Sequence, residues 1–200
     1  MGQGMTIWLT GLSGAGKTTL ARLVEVELRA LGQQVEVLDG DVVRAQLCKD
    51  LGFSKEDRDR HIQRIGFVCE VLSRNGIVAI AAVISPYRTA RDAVRKRIGR
   101  FMEVYCKCPL DVVIRRDTKG LYRKALAGEI TNFTGISDPY EEPLAPDIVL
   151  ETDTDPPERC VAALLEKLKQ TGYLAHGIHD GHLGPSAMEG RDCHPQQYRR

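Results

Sequence analysis

The sequence predicts an α/β fold, a central parallel sheet with helices on both faces, and three observations carry that reading. Short apolar runs alternate along the chain with amphipathic stretches of helical period. The run Ile77–Ile84 is almost wholly apolar, which only a central strand covered on both faces needs. Successive strands separated by helices require right-handed crossovers, and these build parallel sheets.

Each element has its own justification. Met5–Thr10 is a short apolar run ending at a glycine, as a buried parallel strand does. From Lys17 the residues Leu20, Leu23, Val24, Leu28 and Leu31 recur at three- and four-residue steps, and Gly32 closes the helix. Val35–Leu38 is the second strand, with Asp39 and Asp41 at its carboxyl end. A short helix runs from Asp41 to Cys48. Ser54 caps a longer one, with Asp57 completing an approximate capping box and Ile62, Ile65, Cys69 and Leu72 facing inward. After the Ile77–Ile84 strand come a helix over Tyr87–Ile98, a strand over Phe101–Cys106 and short helices at Leu110–Arg115 and Gly120–Ala127. Residues 128–146 form a long loop, Ile148–Leu150 a last strand and Pro157–Gln170 a last helix.

Composition bounds the rest. The 200 residues suit one globular unit and an appendage, and 42% apolar against 28% charged residues excludes wholly disordered, collagen-like and coiled-coil chains. Lys and Arg number 28 against 27 Asp and Glu, so no global field favours a nucleic acid polymer or an anionic membrane, and any bound anion needs a local site. No apolar stretch is long enough to span a bilayer and the first ten residues are too short for a signal peptide, so a soluble, cytoplasmic protein is expected. The domain is expected over residues 1–171, with 172–200 a flexible tail rich in Gly and His. In that tail His176, His179 and His182 fit a solvated segment better than a metal site. Six cysteines show no zinc-like spacing and are expected as buried thiols; Cys106 and Cys108, two apart on a strand, are better explained by packing than by metal.

The chemistry starts at Gly11-Leu12-Ser13-Gly14-Ala15-Gly16-Lys17-Thr18, a complete GxxxxGK[ST] phosphate-binding loop between a strand and a helix. Its glycines let successive N–H groups point inward at phosphates, Lys17 reaches the β- and γ-phosphates, and Thr18 offers a hydroxyl to Mg²⁺. ATP and Mg²⁺ are therefore the expected cofactors. GTPases read their base with NKxD, which the chain lacks, and the DxxG match at Asp117–Gly120 is weak. On the acceptor side, Asp41 at a strand's carboxyl end can accept a hydroxyl proton or bind Mg²⁺, or serve only as a helix cap. Arg44, Arg58, Arg88 and Lys119 offer positive charge there, unless they belong to solvated helix faces.

Taken together, Thr10–Leu20, the DGDxxR core within Asp39–Leu47, DLGFSKEDR at 50–58, ISPYR at 84–88 and DTKGLYRKALAGEITNFTGISDPYEE at 117–142 resemble the adenylylsulfate kinases over about residues 4–170. That family transfers the γ-phosphate of MgATP to the 3′-hydroxyl of adenosine 5′-phosphosulfate. The resemblance implies a P-loop kinase fold with a mobile lid over Lys119–Phe133, ATP contacts through residues 11–18 and Thr19, and catalytic roles for Asp41, Lys17 and Ser85, with Ser85 read as a binding residue rather than a phosphate carrier. It implies Mg²⁺ contacts at Thr18 and Asp41. Acceptor contacts are implied at Asp41, Arg44, Phe53, Arg58, His61, Ile84, Ser85, Lys119, Phe133, Gly135 and Ile136, with Phe53 and Phe133 sandwiching the adenine. A homodimer and a functional link to ATP sulfurylase are further implications. The chain departs from the family pattern at Val42 and His61, where Asn is usual, and at Thr118, where Pro is usual; altered affinity is expected rather than lost chemistry. The alternatives are a P-loop kinase of another small acceptor, such as a nucleoside monophosphate or a sugar acid, the latter having no need of the two aromatics, and a noncatalytic nucleotide-binding module, which would not need Asp41 and Lys119.

Overall fold

In the computed structural model, residues 4–174 are described, and they form a five-stranded, all-parallel sheet in the order β2-β3-β1-β4-β5. The strands are β1 Met5–Thr10, β2 Val35–Asp39, β3 Val78–Ala82, β4 Phe101–Lys107 and β5 Ile148–Glu151. The helices are α1 Lys17–Ala30, α2 Gly40–Leu47, α3 Lys55–Arg74, α4 Arg88–Ile98, α5 Leu110–Arg116, α6 Leu121–Leu126 and α7 Pro157–Gln170. Every expected element is present, and boundaries move by at most two residues at most ends.

The alternation of β1 divides the core. Met5, Ile7 and Leu9 point into the layer built by α1, α5, α6 and α7, while Trp8 points into the layer of α2, α3 and α4, its ring 5.7 Å from that of Phe101. Trp8 is fully buried, and truncating a side chain of that size in a packed core costs about 3–5 kcal/mol. The α3–α4 contact depends on Gly66, where a Cβ would sit 2.7 Å from a Val94 methyl.

Three local expectations are refined. Asp39, not Asp41, caps α2: its carboxylate accepts from the Asp41 and Val42 amides. Ser54 caps α3 by accepting from the Asp57 amide, but the Asp57 carboxylate turns to the Gly52 N–H, so the capping box is only half formed. The body also runs past its expected end at residue 171. Leu174 is buried, and Tyr173 packs on the core with Arg100 over its ring. The remaining tail, with its three spaced histidines and Cys193, lies outside the described residues. Cys48, Cys69, Cys106, Cys108 and Cys160 are buried free thiols, and no metal-ligating cluster occurs among the described residues. No described helix is long and apolar enough to cross a membrane.

Candidate active site

The carboxyl ends of β1, β2 and β3 meet on one edge of the sheet, and the loops that leave them build two adjoining cavities. The first, of about 280 Å³, is lined by the phosphate loop from Ser13 to Thr19 together with Asp39, Asp41 and Lys119. The second, of about 360 Å³, is lined by Arg44, Phe53, Arg58, His61, Phe133 and their neighbours. Ser13, Gly40, Asp41, Val83 and Ile84 border both.

In the loop, Gly14 and Gly16 take left-handed φ values of 77° and 82°. A Cβ on Gly11 would lie 2.5 Å from the Cys106 carbonyl, so the loop can pass over β4 only as glycine. Lys17 is buried, its ammonium donating to the Gly11 and Leu12 carbonyls at 2.9 and 2.6 Å. Burial lowers its pKa to about 8. Thr18 donates its hydroxyl to Asp39 Oδ2 at 2.7 Å. Burial alone would raise the Asp39 pKa, but the Thr18 hydroxyl and the two capped amides hold it below the usual range. The donor set of Thr18, Asp39 and Asp41 is hard oxygen beside a phosphate cradle, which fits Mg²⁺. Thr18 thus stands with Asp39, whereas Asp41 pairs with Lys119 at 2.5 Å. The acidic partner of Thr18 was legible in the sequence only as the residue next to a strand end.

In the second cavity Arg44 and Arg58 both stack on Phe53, with guanidinium carbons 4.7 and 5.6 Å from the ring centre. Arg44 is anchored by the Gly52 carbonyl at 2.8 Å, and Arg58 by the carbonyls of Phe53 and Asn132, with Asp138 3.6 Å away. Burial, then the like charge of Arg58, lowers the Arg44 pKa. Two cations lining one cavity favour an anion in it. Phe133 is edge-on to Tyr122 with ring centres 5.0 Å apart. Half-exposed Phe53 and buried Phe133 thus border one cavity, as a base sandwich needs. His61 is buried, and its pKa falls to about 4, through burial first and then the Arg44 charge.

Five expected residues sit differently. Gly135 and Ile136 line a separate cleft with Leu12, Tyr105 and Leu110, because residues 133–138 fold back on themselves through amides bonded to the Phe133 carbonyl. They are not among the residues that line the acceptor cavity. Lys119 borders the phosphate cavity rather than the acceptor cavity. Arg88 is turned away, its guanidinium donating to the Glu142 carbonyl at 2.7 Å. Ser85, at φ 42°, borders the acceptor cavity with Ile84, yet its hydroxyl is committed inward. It accepts from Trp8 Nε1 at 3.1 Å and donates to Thr10 Oγ1 at 2.9 Å. So engaged, the hydroxyl ties the turn after β3 to β1. Arg91 locks the same turn by donating to the Ser85 and Glu141 carbonyls and pairing with Glu103 at 2.8 Å.

The structure also adds residues that the sequence reading missed. Asn132, at φ 54°, and Thr134 border the acceptor cavity, and the buried Thr134 hydroxyl has no hydrogen-bond partner. A further cleft beside Gly16 and Thr19 is lined by Arg116, Asp153 and Pro156, with one buried Asp153 oxygen unpartnered. Asn132 and Thr134 lie within the 117–142 stretch that carries the resemblance, whereas Arg116, at the end of α5, and Asp153 and Pro156, after β5, lie outside every quoted motif.

Comparison with known proteins agrees with this geometry. The family described as adenylylsulphate kinase matches residues 3–151. An adenylyl-sulfate kinase of Rippkaea orientalis is 58% identical over 176 residues, which cover 88% of this chain and 97% of that protein. A probable bifunctional SAT/APS kinase of Sorangium cellulosum is 54% identical over 86% of this chain but only 29% of its own length. The solved Mycobacterium tuberculosis APS kinase, in complex with AMPPNP and APS, superposes with a TM-score of 0.82 at 41% identity, covering 84% of this chain and 99% of that one. Two adjoining cavities on a phosphate-loop scaffold, and relatives matched along nearly their whole length, lead to one assignment: the chain belongs to the adenylylsulphate kinase family.

Proposed function

We propose that the chain is an adenylyl-sulfate kinase, transferring the γ-phosphate of ATP to the 3′-hydroxyl of adenosine 5′-phosphosulfate and releasing ADP. The observation that carries this reading is that Asp41 borders both cavities, so a carboxylate stands where the two nucleotides would meet.

Each residue then has a chemical task. The backbone of residues 11–18 and the Lys17 ammonium hold the triphosphate. Thr18, with Asp39 behind it, and Asp41 would hold Mg²⁺, which when bound neutralises charge on the β- and γ-phosphates. Asp41 accepts the proton of the 3′-hydroxyl as that oxygen bonds to the γ-phosphorus and the bond to the β–γ bridging oxygen breaks. Lys119, paired to Asp41, lies beside the phosphates and stabilises charge there. Arg44 and Arg58 grip the phosphosulfate, Phe53 and Phe133 flank the adenine, and the Thr134 hydroxyl gains a partner. The cleft of Arg116 and Asp153 beside Gly16 takes the nucleoside end of ATP, with the unpartnered Asp153 oxygen as acceptor.

Closure of the segment from Lys119 to Phe133 over the two nucleotides would exclude water and spare ATP from hydrolysis. We further propose a homodimer and a functional link to a sulfurylase; the latter is supported by the partial match to a bifunctional SAT/APS kinase. The test is a coupled assay of ADP release over a panel of acceptors. Adenosine 5′-phosphosulfate should be used far faster than water or sugar acids, and turnover no faster than ATP hydrolysis would overturn the assignment.

A further inference from the structure

The imidazole of His61 sits in the wall of the acceptor cavity with only one of its nitrogens engaged. Nδ1 lies 3.2 Å from the sulfur of Cys48, a fully buried residue at the end of α2. Nε2, on the opposite side of the ring, has no partner among the described residues, although the residue is only 7% exposed and borders the cavity. Such a ring is useful only if the proton is on the correct nitrogen. A neutral imidazole carries one N–H, and the hydrogen bond at one nitrogen decides what the other presents.

The chemistry of the pair fixes the direction. An imidazole nitrogen is a good acceptor and a thiol sulfur a weak one, so at 3.2 Å the single Cys48 proton belongs on the line to Nδ1. We propose that Cys48 is a positioning residue: its S–H donates to His61 Nδ1, holds the ring in the Nε2–H tautomer and so presents that N–H as a hydrogen-bond donor to an oxygen of the acceptor nucleotide. This also accounts for the histidine at a position where the family usually carries Asn, since a ring with its proton at Nε2 supplies the donor that an amide would.

The inference rests on the adenylyl-sulfate reading, and the two can fail separately. Nitrogen-15 spectra of the full chain read the tautomer directly. Wild-type enzyme should show His61 protonated at Nε2 and bare at Nδ1, and Cys48→Ala should populate both tautomers. In steady-state assays Cys48→Ala should raise KM for adenosine 5′-phosphosulfate about tenfold, with kcat and KM for ATP little changed. Cys48→Ser, whose hydroxyl can donate in the same place, should restore both the spectrum and KM. A packing role alone would move neither the tautomer nor the ratio of the two KM values. Wild-type His61 protonated at Nδ1, or Cys48→Ala with an unchanged KM, overturns the proposal. Absence of turnover by wild type on this acceptor overturns the functional reading instead, and leaves the tautomer measurement to decide the pairing.

Discussion

The two cavities that meet at Asp41 are built in opposite ways. The phosphate side is built chiefly on one short segment, Ser13 to Thr19, with glycine conformations and one buried lysine setting its shape. The acceptor side is made of side chains from α2, α3, the turn after β3 and the 128–146 loop, brought together only by the fold. A site built on one segment is specified locally and is least tolerant at Gly11, where a Cβ would meet the Cys106 carbonyl, whereas an assembled site depends on partners far apart in sequence: Arg58 is held by Asn132 and Asp138. Damage on the phosphate side should therefore affect both substrates. Damage on the acceptor side should be selective.

The largest effect is expected at the shared boundary. Asp41→Asn keeps the shape and removes the proton acceptor, so kcat should fall about 10³-fold while calorimetry shows ATP still bound. Unchanged turnover would remove Asp41 from the chemistry. Next, Gly11→Ala forces a Cβ toward the Cys106 carbonyl and should weaken ATP binding at least about tenfold. It tests whether the loop path is as rigid as it looks, since ordinary ATP affinity would mean that β4 and the loop yield.

Arg58→Ala should sharpen the contrast. Loss of a charge-assisted grip worth about 1.5–3 kcal/mol corresponds to roughly 10- to 100-fold in KM for adenosine 5′-phosphosulfate, with KM for ATP within about twofold. An equal rise in both would mean that the cavities are not independent. Phe53→Ala should cost somewhat less, about tenfold in the same KM, as expected for one base–aromatic stack. Because Phe53 is half exposed, its loss should leave the thermal midpoint almost unmoved.

The same contrast explains what could be read from the sequence. The glycine loop, the parallel sheet implied by alternation, and α7 with its bounds at Pro157 and Gln170 were legible because each is a local pattern. Asp39 as the partner of Thr18, 21 residues away, was not, because a hydrogen bond between the first turn of α1 and the end of β2 leaves no spacing rule. That Gly135 and Ile136 border a separate cleft was not legible either, since the reversal at residues 133–138 depends on amides converging on one carbonyl, which composition does not encode. Ser85 was legible as a residue at the ligand edge, but the direction of its hydroxyl depends on Trp8 and Thr10 across the sheet.

The smallest effect concerns stability rather than turnover, and it isolates one group on the assembled side. His61 has a pKa near 4 in the folded protein against an ordinary 6.5, because burial and the guanidinium charges of Arg44, Arg58 and Arg64 outweigh the attraction of Asp41. Between those values the unfolded chain takes up a proton that the folded one refuses. Stability from this group is therefore intact above about pH 6.5 and is lost as pH falls toward 4. The thermal midpoint of wild type should drop more steeply between about pH 7 and about pH 5 than that of His61→Gln. The carboxylates and other groups titrate in both proteins, so the difference between the two slopes reports His61 alone. Parallel slopes would mean that the imidazole is solvated, and would break the claim that the acceptor wall is dry and cationic where His61 faces it.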